Sequence, residues 1–327
     1  MASTVLPLMT ANSYWGLAVE TTYGTAAASV NTWTPINSPK VTPGVKWLDD
    51  GDFRGSPVTI YDEVAGVFRA SFDGKTYTYT DVYPNLLRAA LGSQDTVASV
   101  GPSLYTHTIG LQNSPNTGSQ APSYTIWNDS VDATYQMVAS KLDVLSVSFS
   151  ADAAVENTFT FKTNQPTTTA SVSGLPESTQ HLIPAWNCSA SIGGVAVYVV
   201  EDWSMDIKRN ANQIFALGSQ SAVSNFQGPI DVTGKCTFIV QQGETYWANA
   251  LTRDLQVVAL TLTDPFTNYS ILYQMSTVQL RDPVINQGKN YVELDLNFQA
   301  VGNTTDQVTF GYSPIKTVVT NNIATAY

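Results

Sequence analysis

Two stretches of this chain repeat one another in the same order, and a chain that carries one pattern twice is constrained to fold as two like units. Tyr135-Gln136-Met137 followed by Leu142 recurs as Tyr273-Gln274-Met275 followed by Leu280. Collinear with these, Gly55-Ser56 matches Gly218-Ser219, Val64-Ala65-Gly66 matches Val232-Thr233-Gly234, and Tyr124-Thr125-Ile126 matches Tyr269-Ser270-Ile271. Leu86, Leu87, Ala90 and Leu91 have the spacing of Tyr246, Trp247, Ala250 and Leu251, one apolar stripe at helical period, so each copy is expected to hold one short helix. Pro84 at the start and Gly92 just past Leu91 bound the first of them.

Strands are most legible at the end of each copy. Leu145, Val147 and Phe149 alternate with serines, and Phe159 and Phe161 alternate with Thr158, Thr160 and Lys162. Val292, Leu294, Leu296 and Phe298 alternate with Glu293, Asp295, Asn297 and Gln299. Period two puts one set on each face of a sheet, and turn residues at Asp152 to Asn157 and at Asn286-Gln287-Gly288-Lys289 predict a hairpin in each copy. The resulting organisation is an N-terminal arm (1–35), a first β domain (36–163), a polar linker (164–184), a second β domain (185–302) and a C-terminal arm (303–327).

Charge narrows the function. The net charge is −11, with 8 basic and 14 acidic residues up to position 163 and 7 and 12 beyond it, so both copies are acidic. A protein that holds nucleic acid through its phosphates needs the opposite footprint. Charged residues are only 13% of the chain, and abundant Thr, Ser, Asn, Val and Tyr suit many short strands with polar outer faces. No basic residue precedes Lys40 and no long apolar run is present, so neither a signal peptide nor a membrane helix is readable, and a protein made and used without secretion is expected.

Catalytic and metal chemistry lack their parts. His107 and His181 stand at no ligand spacing from Cys188 or Cys236, and no nucleophile elbow, Walker loop or dinucleotide fingerprint follows a strand. The two cysteines read as reduced, buried small hydrophobes, His107 as a polar strand or turn residue, and Asp49-Asp50-Gly51-Asp52 as an acidic turn rather than a calcium loop. No enzyme activity and no cofactor are implied. Two rivals remain: a carbohydrate-binding or adhesin-type β-sandwich, which the 7 tryptophans and 16 tyrosines would suit, and an acidic hydrolase, which would need converging carboxylates.

Glu20-Thr21-Thr22-Tyr23-Gly24-Thr25, Phe53-Arg54-Gly55-Ser56, Tyr83-Pro84-Asn85-Leu86-Leu87, Tyr105-Thr106-His107 and Asp206-Ile207-Lys208-Arg209-Asn210 together resemble the major tail tube proteins of long-tailed, siphovirus-type bacteriophages, in a tandem-duplicated variant. The resemblance runs from about Glu20 to Gly302. It implies a mainly β fold of two tandem tail-tube-like sandwiches or barrels, each with one short flanking helix, assembled into rings that stack as a tube. Three chains would make a pseudo-sixfold ring; six chains with one copy outside it is the alternative. The partners implied are the chain itself, a tape-measure protein, tail terminator and baseplate or distal tail proteins, and genomic DNA passing without specific binding and without membrane insertion. The site implied is the virion tail, assembled in the host cytoplasm.

A channel that passes DNA must not hold it, so its wall should be acidic or neutral. The polar hairpin faces are the candidates for that wall: Glu156, Thr158, Thr160 and Lys162 in one copy, and Glu293, Asp295, Asn297 and Gln299 in the other. The two arms are expected to add strands or contacts to a neighbouring ring.

Overall fold

The computed structural model describes residues 13–327 apart from 93–94, 116–117, 131, 171, 173–177, 198, 242–244, 253 and 309. The first twelve residues of the expected N-terminal arm and part of the linker therefore lie outside the described residues. The first half contains β1 (Tyr14–Val19), β2 (Thr32–Thr34), β3 (Asn37–Thr42), β4 (Val45–Asp50), β5 (Asp62–Phe68), β6 (Ala70–Tyr77), α1 (Pro84–Leu91), β7 (Thr96–Gly101), β8 (Leu104–Gly110), β9 (Tyr124–Asp129), β10 (Thr134–Ser150), β11 (Glu156–Thr163) and β12 (Thr167–Thr169). The second contains β13 (Ser189–Ile192), β14 (Val195–Val197), β15 (Val200–Lys208), β16 (Asn212–Ile214), β17 (Ser224–Phe226), β18 (Asp231–Ile239), α2 (Tyr246–Leu251), β19 (Gln256–Thr263), β20 (Ser270–Asn286), β21 (Glu293–Ala300) and β22 (Lys316–Asn321). The chain is mainly β with two helices, one per half, as the alternation and the two apolar stripes predict.

The two longest strands organise everything else. β10 and β20 each span 17 residues and each changes partners midway. Their first portions pair with β9 and β19, and their second portions pair with β11 and β21. A local irregularity lets each strand leave one sheet and enter another. In both, the residue after the Tyr-Gln-Met element that stands opposite phenylalanine is the repeated leucine: Leu142 faces Phe161 and Leu280 faces Phe298.

From there the pairing runs in the same order in both halves. β3 pairs β6, β6 pairs β11 and β11 pairs β10; β15 pairs β18, β18 pairs β21 and β21 pairs β20. Two-stranded hairpins interrupt both series at the same place, β4–β5 between β3 and β6, and β16–β17 between β15 and β18. β10 then pairs β15, which joins the two series into one eight-stranded antiparallel sheet, β3-β6-β11-β10-β15-β18-β21-β20. Among the described residues these pairings never return to their first strand, so no barrel closes within the chain; β3 and the second portion of β20 are open edges.

Two expected correspondences are corrected by this order. Val64-Ala65-Gly66 lies in the β4–β5 hairpin, whereas Val232-Thr233-Gly234 lies in the core strand β18. Gly74 on β6 and Gly234 on β18 each stand opposite a phenylalanine, Phe159 and Phe298, although the paired leucines align Phe298 with Phe161, so the two series differ there by two residues in register. A side chain there would collide with the ring: a Cβ at Gly74 would lie 2.5 Å from Phe159 and one at Gly234 2.2 Å from Phe298. Tyr124-Thr125-Ile126 starts β9, whereas Ser270-Ile271 already belongs to β20; the counterpart of β9 is β19. Short matching tripeptides misalign where loop lengths differ, because a strand's partner is fixed by burial at a distance.

The apolar face of the long sheet packs against further sheets. β1 lies between β2 and β9, and β9 pairs β10. Trp15 on β1 stacks on Phe159 at 5.0 Å and meets Phe72 at 5.4 Å. The expected polar arm up to residue 35 therefore contains a core strand, whose six-residue run Tyr-Trp-Gly-Leu-Ala-Val is diluted by its polar surroundings. The C-terminal arm is also built in. β22 inserts between β20 of the second half and β8 of the first, paired on both sides within its own chain. One contiguous cluster of buried apolar side chains runs through both halves, in place of two separate cores.

Candidate functional site

Cross-strand register places all eight expected wall residues on a single face of the eight-stranded sheet. Side chains directly opposite in an antiparallel pair share a face, and Thr158, Ser146, Asp206, Thr233 and Gln299 form one continuous row. Glu156, Ser148, Ser204, Lys235 and Asn297 form the next. Thr160 and Lys162 continue the first set on β11, and Asp295 and Glu293 continue the second on β21. The two sets are not adjacent: β10, β15 and β18 stand between them. Those strands carry further residues of the same face, Asp202, Ser204, Asp206 and Lys208 among them, which are not among the eight expected from the sequence. The signal for them was the alternation with Trp203, Met205 and Ile207, all buried.

This face is polar and mildly acidic. A hollow of about 680 Å³ lies where its central strands meet the β10–β11 turn, lined by Ser148, Ser150, Ala154, Glu156, Asp202 and Lys235 among others. Its strands bring Lys40, Lys75, Lys162, Lys208, Lys235 and Arg281 among Asp73, Asp143, Glu156, Asp202, Asp206, Asp231, Asp282, Glu293 and Asp295. Most of the cations are tied down: Lys75 to Glu156 at 2.5 Å, Lys162 to Asp143 at 3.4 Å, Lys208 to Asp206 at 3.4 Å and Lys235 to Asp295 at 2.8 Å. Asp295 also accepts a hydrogen bond from the Thr237 hydroxyl at 2.6 Å. Partial burial pushes its carboxyl up, but the Lys235 and Thr237 hydrogen bonds with the Lys235 charge outweigh it and hold the group below the usual carboxylate range. At the rim, Lys289 bridges Glu293 at 2.5 Å and Glu201 at 2.7 Å, and hydrogen bonds from that ammonium lead the causes that lower the Glu201 carboxyl. A lysine whose charge is already met by a carboxylate has little to offer a phosphate.

The motifs outside this face do structural work. Glu20 accepts hydrogen bonds from the Gly24 N–H at 2.9 Å, the Ala139 N–H at 2.8 Å and the Thr125 hydroxyl at 3.1 Å. Ala139 has φ +54°, an uncommon conformation for a residue with a Cβ, and the Glu20 bond holds the bend of β10 there. Arg209 donates to the carbonyl of Ala90 at the end of α1, 2.8 Å away, so the second half caps the helix of the first. The Tyr83 and Tyr273 hydroxyls, 2.8 Å apart, join the two halves again.

His107 is a strand residue, one of its two expected places, and its burial is what the sequence did not show. It sits on β8 but is wholly buried, Nδ1 2.6 Å from Asp95 and Nε2 2.9 Å from the Ile323 carbonyl, and so it braces the chain's last residues. Both cysteines are unbonded, Cys236 buried and Cys188 half-buried, and burial pushes the Cys188 thiol up to about 12. Among the described residues no group of His, Cys, Asp and Glu is arranged to hold a metal, and no helix is long and apolar enough to cross a membrane. Trp15, Trp127 and Trp203 are core residues, which removes them from any sugar-stacking surface.

The sequence matches a family model described as phage tail tube protein over residues 10–300. No curated protein matches it.

Proposed function

The chain belongs to the phage tail tube protein family, and we propose that it is a virion structural protein of a siphovirus-type tail, a tandem duplication whose copies assemble head to tail into rings that stack as the conduit for genome ejection. The observation that carries this reading is the eight-stranded sheet: two four-stranded series in the same order, joined edge to edge, with a further edge open at each end. An open edge exposes unpaired backbone groups, and cyclic closure satisfies them all. Three chains supply six such series, the count of a pseudo-sixfold ring. Its bore is lined by the polar face that carries Glu156, Thr158, Thr160, Lys162, Glu293, Asp295, Asn297 and Gln299, whose paired cations and slight excess of acid let DNA slide. The protein acts without catalysis, its partners are a tape-measure protein and the terminator and baseplate or distal tail proteins at the tube ends, and assembly takes place in the host cytoplasm.

Negative-stain microscopy with native mass spectrometry of the purified protein tests this. Three-chain rings with a central hole, alone or stacked, are the expected outcome. A protein that stays monomeric at high concentration and binds glycans would instead be a sugar-binding β-sandwich.

A further inference from the structure

We infer, resting on the ring reading, that the polar face is electrically two-sided: a duplex passing along it touches the strands of the first half, while the strands of the second half repel it. Lys40 is then the cation that meets the phosphates.

The charges divide unevenly along the sheet. β3, β6, β11 and the second portion of β10 bring Lys40, Lys75 and Lys162 against Asp73, Asp143 and Glu156, which leaves these strands neutral. β15, β18, β21 and the second portion of β20 bring Lys208, Lys235 and Arg281 against twice as many carboxylates, Asp202, Asp206, Asp231, Asp282, Glu293 and Asp295. Lys289 at the rim does not alter the difference, because Glu201 comes with it. The whole excess of acid on the face therefore lies on the second half. Sequence totals hide this, with 8 basic against 14 acidic residues up to position 163 and 7 against 12 beyond it. The first half carries its surplus off the face, on the β4–β5 hairpin with Asp49, Asp50, Asp62 and Glu63.

Ion pairing sharpens the contrast. In the first half Lys75 holds Glu156 and Lys162 holds Asp143, so the groups left over are Lys40 and Asp73, opposite one another on β3 and β6. Asp73 is engaged by the Thr160 hydroxyl at 2.7 Å, and Lys40 is exposed. In the second half Lys208 holds Asp206, Lys235 holds Asp295 and Lys289 reaches Glu293. Among the described residues Asp202, Asp231 and Asp282 have no cation within ion-pair distance, and Asp231 and Asp282 accept amide hydrogen bonds from Gln299 and Asn297. Arg281 is the single unpaired cation set against these three. Fixed charge on a channel wall is focused by the low-dielectric protein behind it and reaches over a screening length of about 8 Å at physiological salt. A duplex drifting toward the second-half strands meets carboxylates that no lysine neutralises. Drifting toward the first-half strands, it meets a neutral surface with one free ammonium, and contact there releases counterions from the phosphates. Three chains in a ring set three neutral strips alternating with three acidic ones around the bore.

Thr158 on β11 and Thr233 on β18 allow a matched comparison. They stand in one row across the sheet, Thr158 opposite Lys75 and Thr233 opposite Asp206. The full chain with Thr158→Cys or Thr233→Cys carries a short photoreactive group on the new thiol, and the unmodified protein reports the background from Cys188 and Cys236. Virions are halted part-way through ejection by external osmotic pressure and illuminated. At low salt, DNA is expected to cross-link through Thr158→Cys at least about threefold more than through Thr233→Cys. The ratio is expected to fall toward one in 1 M salt, where the screening length is about 3 Å. Adding Lys40→Gln is expected to lower the Thr158→Cys yield at least about twofold, and adding Asp202→Asn with Asp231→Asn to raise the Thr233→Cys yield by a similar factor. Equal yields at low salt, or an excess at Thr233→Cys, overturn the two-sided face and leave the ring reading standing. A Thr158→Cys yield indifferent to Lys40→Gln overturns the role given to Lys40. No cross-link from either position, in virions that deliver their DNA, places this face away from the bore and overturns the ring reading with it.

Discussion

Lys141 is a buried ammonium, and burial, reinforced by the nearby Arg209 charge and opposed by Glu20, lowers it to about 8. Its hydrogen bond goes to the Ala121 carbonyl. Because the folded value lies below that of the unfolded chain, the unfolded chain binds the extra proton between pH 8 and 10.5, and the group's contribution to stability rises with pH through that window. Compared with Lys141→Met in urea titrations at pH 7, 8.5 and 10, the native protein is expected to gain up to about 3 kcal/mol relative to the variant as pH rises. A constant difference across pH would show that the ammonium is hydrated. Gly234 makes a second residue-level case. Its absent side chain leaves room for Phe298 and the Ser204 carbonyl, so Gly234→Ala is expected to cost at least about 2 kcal/mol. Gly288→Ala, with open space around it, is expected to cost well under that in the same titration. Such residues were only partly legible in the sequence. Gly234 stood out as a repeated glycine, but Gly74, which makes room for a ring in the same way, did not, because only the phenylalanine opposite identifies it.

At the scale of elements, legibility followed locality. α1 carried its own start and stop, Pro84 and a left-handed Gly92, and formed where they put it. The hairpins β10–β11 and β20–β21 carried their own alternation and turns. β22 carried a polar sequence whose strand character comes from neighbours more than 190 residues away on one side and more than 40 on the other, which no local window reports. Its Thr317, Val319 and Asn321 are buried, and Asn321 donates to the Thr80 carbonyl at 2.6 Å. A chain ending at Ser313 would bare two strand edges, β8 and β20, across the join of the halves. Such a truncation is expected to lose cooperative unfolding or to aggregate, whereas protease treatment of the intact protein is expected to leave residues 316–321 protected. Cleavage there at the rate of an exposed loop would mean that β22 opens readily.

For the whole molecule, the proposed wall depends on how its cations are paired more than on net charge. The sequence as a whole is strongly acidic, yet the polar face of the long sheet intersperses Lys among Asp and Glu, and much of the excess acid lies elsewhere, as on the β4–β5 hairpin with Asp49, Asp50, Asp62 and Glu63. This pairing makes the face sensitive to a single inversion. Asp295→Lys removes the carboxylate that holds Lys235 and adds a second cation, and Asp206→Lys does the same beside Lys208 at a position outside the core. In a stacked tube each change recurs in every ring, so a moving duplex meets an added phosphate contact at each step, and contacts of this kind weaken as salt releases them. Virions carrying Asp206→Lys are expected to build tails of normal length and to eject DNA more slowly at low salt, with the rate recovering as salt is raised. Asp206→Asn, which removes charge without supplying a cation, is expected to leave ejection nearly unchanged. Tails of normal length with undiminished ejection at every salt concentration would place this face away from the bore.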